Sequence, residues 1–391
     1  MKIAIMGFGT VGSGVGEILV SQKEEMTKKA GEPIEVKYIL DLRDFPDSPF
    51  KCFTKNFEDI LNDDEVGLVV EAMGGTVPAY DFTKRLLTKG KHVITSNKEL
   101  VAKHGTELLT IAREKSINYL FEASVGGGIP IIRPLISSLT GSGINSVVGI
   151  LNGTTNYILT QMIDKGKTFE EALSEAQEKG YSEKDPTNDI EGFDTCRKTA
   201  ILASLAFGKA IDSEKIPTEG ITKVTLEDTM YAEKFSCSVK LIGECRKAEN
   251  GVFARVCPAF VPYSNLISNV NGVFNGIMVD GDEVGSVMFY GRGAGKLPTA
   301  SAVVSDVVDA VKHKDTNIRI LWTDAPEGYL LDGKDCKYKF YLRLKGDMNG
   351  FENAVSIADG EFAVITDEIT EAEIEEIAKG HEIIGKMRVI G

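Results

Sequence analysis

The chain opens on an unbroken apolar run at residues 2–6 (KIAIM) that stops at Gly7. So short a run, closed by glycine, reads as a buried strand. Residues 10–25 follow with apolar positions at helical spacing. The alternation then repeats. Strand patterns lie at 34–40, 67–72 (GLVVEA), 92–95 and 118–122, with helix patterns at 79–89 and 100–115 between them. Strand and helix in this order predict a parallel, doubly wound α/β sheet.

Past residue 130 the pattern changes. Helix patterns dominate 131–138, 157–165, 169–179 and 193–207, and strand-like runs come later, at 238–245, 253–260 and 273–279. This predicts an α+β second domain over 131–299. A strongly amphipathic helix at 300–312 returns to the first domain, which residues 300–325 complete. A turn-rich linker at 324–334 leads to a small α+β module at 335–391. That module holds strands at 338–344 and 361–366, a helix at 371–378 and a last strand at 381–390. A length of 391 residues suits two to three domains.

Hydrophobic residues make up 42% of the chain and charged residues 26%, ordinary proportions for a packed protein. The net charge of −14 has no basic stretch to offset it, which argues against nucleic acid or an anionic membrane as partner. No apolar window of ~18 residues offers a membrane span. The first residues do not read as a signal peptide, so a cytoplasmic location is expected. The six cysteines form no C-x-x-C pair and read as reduced thiols. With four histidines, a multi-histidine metal site is not expected.

Gly7-Phe8-Gly9-Thr10-Val11-Gly12 fits G-x-G-x-x-G between a strand and a helix. Gly7 allows the tight turn, Gly9 lets backbone approach a pyrophosphate, and Gly12 lets helix pack on strand. The helix N-terminus then faces the phosphates, so this is a Rossmann-type dinucleotide site. Asp41 closes the second strand, where a carboxylate can bind the ribose 2′-hydroxyl of NAD. Arg43, two residues on, can instead meet the 2′-phosphate of NADP. The reading leans to NAD; a plain surface Asp/Arg pair is the alternative.

Residues 181–198 crowd Glu183, Asp185, Asp189, Glu191 and Asp194 ahead of Lys198. Asp194 and Lys198, four apart on a helix, share one face. That pair is either a surface ion pair or a working acid–base unit, and the apolar continuation of the helix makes a buried pair costly unless used. Lys98 follows a strand of the first domain, near the edge where such sheets bind ligands. The turn 152–156 (NGTTN) caps a helix or lines a pocket. The segment 121–130 (FEASVGGGIP) is a hinge or a loop whose carbonyls converge on a hard cation. A second glycine-rich loop, 290–295, makes a turn or approaches a cofactor.

Six motifs stand in one order: MGFGTVGSGV, TSNKELVAKHG, FEASVGGGIPI, LNGTTNYIL, GYSEKDPTNDIEGFDTCRK and MFYGRGAGKLPTASAVVSD. Together they resemble the homoserine dehydrogenases, over about residues 1–325. No aspartokinase-like region precedes them, so the monofunctional form is expected. The resemblance implies NAD(P)-linked interconversion of L-homoserine and L-aspartate 4-semialdehyde, and a homodimer or larger homo-oligomer formed through the middle domain. It gives Lys198, Lys98 and Asp194 catalytic roles, with Lys198 as proton donor and acceptor and Lys98 bridging cofactor and substrate. Glu183, Asp189, Asp194, Tyr181 and Thr154 fall at substrate positions. Gly7, Gly9, Thr10, Val11, Gly12, Asp41, Arg43, Lys98, Gly291 and Gly293 fall at cofactor positions. Glu122, Val125, Gly127 and Ile129 match positions whose backbone carbonyls hold a sodium ion.

The terminal module resembles a shortened ACT domain. Either threonine feedback or a relic serving packing and dimer contacts fits it. Three rival readings remain: an oxidoreductase for another small amino alcohol or aldehyde, a non-catalytic redox sensor, and a small-molecule-binding regulator built on the C-terminal module alone, which its short length disfavours. The acidic charge and the lack of a helix-turn-helix count against the sensor.

Overall fold

The apolar runs of the first half form a single parallel sheet. Its strands are β1 (Lys2–Met6), β2 (Glu35–Leu40), β3 (Phe53–Thr54), β4 (Val66–Glu71), β5 (His92–Thr95) and β6 (Tyr119–Leu120). In the computed structural model, which describes residues 1–334, 336–378 and 380–390, they lie in the order β3-β2-β1-β4-β5-β6. All pairs are parallel, and Met6, Leu40, Glu71 and Thr95 lie at matching levels, so the carboxyl ends share one edge. Strand order reverses between β1 and β4. That is where an open α/β sheet forms its ligand crevice. The strands β1 and β4 are buried almost throughout, as their unbroken apolar runs require.

Helices α1 (Thr10–Ser21), α2 (Lys23–Ala30), α3 (Glu58–Leu61), α4 (Ala79–Thr88) and α5 (Lys98–Glu114) connect these strands. The helix expected over 10–25 is two helices. Ser21 Oγ competes for the Ile18 carbonyl (3.4 Å), which also takes the Gln22 N–H, and Gln22 leaves helical geometry. The helix expected at 131–138 carries a π-turn at Pro134–Ser138. Pro134 has no N–H to continue an α-ladder, and Leu139 N–H reaches back five residues to its carbonyl (2.9 Å).

The chain divides into two compact units. The first comprises Met1–Gly143, Ala200–Ser213 and Gly291–Ala325, and the second Ile144–Thr199, Glu214–Tyr290 and Pro326–Gly391. The later helices are α6 (Gly153–Lys165), α7 (Phe169–Glu178), α8 (Thr187–Ile190), α9 (Phe193–Phe207), α10 (Leu226–Lys234), α11 (Lys296–Lys312) and α12 (Ile374–Ala378). The second sheet holds β7 (Ile144–Ile150), β8 (Cys237–Ala248), β9 (Gly251–Pro262), β10 (Phe274–Gly281), β11 (Gly285–Arg292), β12 (Lys339–Lys345), β13 (Glu361–Ile365) and β14 (Ile383–Val389). Their order is β11-β10-β7-β8-β9-β14-β12-β13.

Two of these strands and two of the later helices have no counterpart in the hydrophobic pattern; one of the helices is α8, a single short turn with no buried residue. β11 is an edge strand with no buried residue, so its sequence carries no apolar alternation. β7 begins on half-buried polar positions and becomes apolar only in its second half. α10 is announced by a capping box instead: Thr225 Oγ1 accepts Asp228 N–H, and Asp228 accepts Thr225 N–H.

The terminal strands extend this sheet. β14 pairs parallel with β9 and antiparallel with β12, and Tyr341 stacks on Phe260 with ring centres 4.1 Å apart. Phe253 of β9 packs in the same apolar cluster as Phe340, Leu342, Leu344 and Phe362. Asp335, Lys379 and Gly391, within the expected 335–391 module, lie outside the described residues.

β8 buries Lys240 completely. Its ammonium donates to Val270 O (2.7 Å), Asn271 Oδ1 (2.7 Å) and Asn156 Oδ1 (3.3 Å), and burial pushes its pKa down to about 8. A lysine that loses its proton more easily folded than unfolded adds stability as pH rises through that window. Relative to Lys240→Met, the parent should therefore gain up to roughly 3 kcal/mol of stability from about pH 8 to pH 10.5. Urea unfolding across that range reads it; a difference that does not change with pH contradicts it.

Candidate active site

The first glycine-rich turn is built for close backbone approach. Gly7 has φ +89°, and a Cβ there would stand 2.6 Å from the Ala72 carbonyl oxygen. A Cβ on Gly12 would stand 1.9 Å from the Gly7 oxygen, so only glycine lets α1 begin where it does. Thr10 and Val11 form the first turn of α1, with Gly9 as its cap. That turn carries no acidic side chain and no side-chain cap, so its N–H groups and dipole are left for an anion. These features fit a pyrophosphate.

Asp41 stands directly after β2. Its carboxylate accepts the Phe8 N–H (2.8 Å), the Arg43 N–H (3.0 Å) and two guanidinium bonds from Arg43 (3.0 and 2.8 Å). The bonds from Arg43 hold this carboxyl well below the ordinary range, against the upward push of burial. Arg43 is exposed and reaches over Gly9, 3.8 Å from where its Cβ would be. Asp41 therefore ties the glycine turn to an arginine that faces the solvent. Asp41 and Arg43 are the groups here that a ribose or a phosphate would meet.

The two further glycine loops, far apart in sequence, meet. Gly128 N–H donates to Arg292 O (3.2 Å), a Cβ on Gly127 would stand 2.4 Å from Gly293 O, and Gly291 faces Ile129. The buried Glu122 carboxylate accepts three backbone N–H groups, from Ile131 (2.7 Å), Ile132 (2.8 Å) and Arg133 (2.8 Å). Its own N–H goes to Asp306, which also takes an Arg133 guanidinium bond (2.6 Å). So the Glu122 side chain holds the loop, and only its backbone carbonyl remains for a cation. Val125 is buried in that loop, and the buried Ser124 hydroxyl lacks a hydrogen-bond partner among the described residues. A polar guest would satisfy it. Among the described residues, no cluster of histidine, cysteine and acidic side chains forms a metal site.

Lys98 is the first residue of α5 and is half-buried. Asn97 caps that helix, its Oδ1 accepting Leu100 N–H (3.1 Å). Lys98 belongs to the first unit and Lys198 to the second.

In the second unit the helical spacing of Asp194 and Lys198 brings them together as a buried pair. Lys198 Nζ donates to Asp194 Oδ2 (2.6 Å) and to the Leu151 carbonyl (2.7 Å). Asn152 bridges the acids: its Nδ2 donates to Asp194 Oδ2 (2.9 Å) and to Asp189 Oδ1 (2.7 Å). Its Oδ1 meanwhile caps α6 through Thr155 N–H (2.9 Å). Burial first, then the nearby Asp194 charge, raise the Asp189 carboxyl, while the Asn152 bond works the other way.

Thr154 donates to the Tyr181 carbonyl (2.7 Å), and the exposed Tyr181 ring meets Tyr157 edge-on. Glu183 is exposed on the same turn, its backbone carbonyl held by Gln177 (3.1 Å). The structure thus joins Asp194, Lys198 and Asp189 through hydrogen bonds and leaves the Glu183 carboxylate outside that network. Asn152 is the member that residue spacing does not assign. Its signal is the NGTTN turn, but the acids it bridges lie 37 and 42 residues away.

Among the described residues, no helix is long and apolar enough to cross a membrane. Two family descriptions match consecutive parts of the chain: "Homoserine dehydrogenase, NAD binding domain" over residues 7–122 and "Homoserine dehydrogenase" over residues 130–308. The homoserine dehydrogenase of Pseudomonas aeruginosa is 41% identical over 386 residues, covering 96% of this chain and 89% of that one. That of Bacillus subtilis is 35% identical, covering 100% and 91%. The crystal structure of a homoserine dehydrogenase from Thiobacillus denitrificans superposes with a TM-score of 0.92 at 36% identity, covering 100% of this chain and 98% of that one. A hyperthermophilic archaeal homoserine dehydrogenase in complex with NADPH matches at 28% identity with a TM-score of 0.70, covering 81% and 99%. The nucleotide turn, the buried acid–lysine network and these likenesses over the whole length agree: the chain belongs to the homoserine dehydrogenase family.

Proposed function

We propose that this chain interconverts L-homoserine and L-aspartate 4-semialdehyde, with Lys198 moving the proton. The observation that carries the reading is the buried Lys198–Asp194 pair, extended through Asn152 to Asp189. A nicotinamide cofactor supplies or accepts the hydride. In the reducing direction Lys198 gives its proton to the aldehyde oxygen, and in the oxidising direction it takes the proton of the alcohol. Asp194 and the Leu151 carbonyl hold its ammonium in one direction while it does so. Asp189, Asp194 and Glu183 form the receptor for the substrate ammonium, with Thr154 and Tyr181 lining it. Lys98 bridges cofactor and substrate.

Gly7, Gly9, Thr10, Val11 and Gly12 receive the pyrophosphate, with Gly291 and Gly293 on the second loop. Asp41 favours NAD through the ribose hydroxyl. The carbonyls of Glu122, Val125, Gly127 and Ile129 hold a sodium ion. The second unit forms a homodimer or larger homo-oligomer, in the cytoplasm.

The test is oxidation of NADH and NADPH in parallel with L-aspartate 4-semialdehyde, with and without L-threonine. Turnover supports the reading, and its absence in protein that binds nucleotide overturns it. Positioned general acid–base catalysis is worth about 10²–10⁴ in rate. Lys198→Ala should therefore lose turnover by about that factor and keep its nucleotide affinity, measured by fluorescence titration. Near-normal turnover in that variant refutes the role of Lys198.

A charged hydrogen bond to a ribose hydroxyl is worth about 1.5–3 kcal/mol, tenfold or more in affinity. Asp41→Asn weakens that bond and the hold on Arg43 together. The ratio of kcat/KM for NADPH over NADH should then rise by about tenfold. An unchanged ratio removes Asp41 from the choice of cofactor.

A further inference from the structure

Glu71 ends β4, next to the point where the strand order of the first sheet reverses. The rest of that strand is glycine and aliphatic residues (VGLVV), and Glu71 has no solvent exposure. An aliphatic residue would complete the strand at less cost, because a buried carboxyl group is tolerated only when it is hydrogen-bonded. It is: one oxygen accepts the Met73 N–H (2.8 Å) and the other the Thr95 hydroxyl (2.5 Å), while burial pushes the carboxyl up.

The chain of bonds continues. Thr95 Oγ1 accepts Asn97 N–H (2.9 Å), Asn97 Nδ2 donates to Gly75 O (2.6 Å), and Asn97 Oδ1 caps Leu100 N–H (3.1 Å). One carboxylate therefore clamps the segment after β4 to the start of α5, whose first residue is Lys98. A lysine in the first turn of a helix faces the positive end of the dipole, so helix stability does not explain its place there.

We propose that Glu71 is a positioning residue: through Thr95 and Asn97 it sets where the α5 N-terminus presents Lys98 at the carboxyl edge of the sheet. This rests on the role given to Lys98 above. The test substitutes Glu71→Gln, which keeps the shape but turns one acceptor into a donor facing donors. The Met73 bond must then break or the Thr95 hydroxyl must reverse. kcat should fall at least tenfold, with KM for the semialdehyde changing less.

A double-mutant cycle with Lys98→Met separates positioning from plain loss of structure. In the Lys98→Met background, Glu71→Gln should change kcat by less than twofold. The same loss with and without Lys98, or no loss in the single variant, overturns the proposal. Hydrogen exchange gives a readout free of turnover: Glu71→Gln should speed exchange at Leu100 and leave the C-terminal half of α5 unchanged. Unchanged exchange at Leu100 overturns the clamp. An inactive parent protein overturns the proposed reaction, while the exchange result still decides the clamp. If Glu71→Gln does not fold, Thr95→Val removes the hydroxyl donor alone and should show the same changes at smaller size.

Discussion

Lys198 is the constraint around which the second unit is arranged. An ammonium only 8% exposed must be met by a carboxylate and further acceptors, or the helix that carries it would not bury that face. Asp194, one turn earlier, meets it, and the Leu151 carbonyl accepts a second hydrogen bond from it. That demand reaches outward. Leu151 and Asn152 must end β7 and begin α6 at the right level, so that one asparagine can cap a helix and bridge two acids at once. Every polar atom of the Asn152 side chain is used. An asparagine held in this way has little freedom to move, which suits the proton transfer proposed for Lys198.

The first unit solves a related problem with carboxylates. Loops at the carboxyl edge of a sheet leave backbone N–H groups that no strand or helix pairs. Asp41 takes the Phe8 N–H, Glu71 takes Met73, and Glu122 takes Ile131, Ile132 and Arg133. Three acids thus fix three irregular segments: the glycine turn, the loop after β4 and the turn into the second part of the chain. Irregular backbone held in this way can present N–H and carbonyl groups to a ligand without first being ordered.

Local pattern carries far in this chain where the feature is itself local. The strand–glycine–helix order around Gly7 to Gly12 needs no long-range contact to be recognised, and four-residue spacing is enough to put Asp194 and Lys198 on one face. It fails where a partner is distant or exposure hides the period. Asn152 looks like any helix cap until the fold brings Asp189 and Asp194 to it. Glu71 reads as a lone polar residue near the end of an apolar run, because its Thr95 partner sits on the next strand. β11 lies at the sheet edge and has no buried face to give it a period. Asp41 is legible as a strand-end acid, but not its bond to Phe8 N–H, which depends on β1 and β2 lying side by side.

Whether the substrate reacts at the buried acid–lysine network of the second unit is tested most directly by a crystal structure with L-homoserine bound. The substrate hydroxyl should lie within about 2.6–3.2 Å of Lys198 Nζ and the substrate ammonium against Asp189 or Asp194. A homoserine molecule seated elsewhere, with Lys198 still closed onto Asp194 and the Leu151 carbonyl and no substrate atom in reach, would contradict this placement.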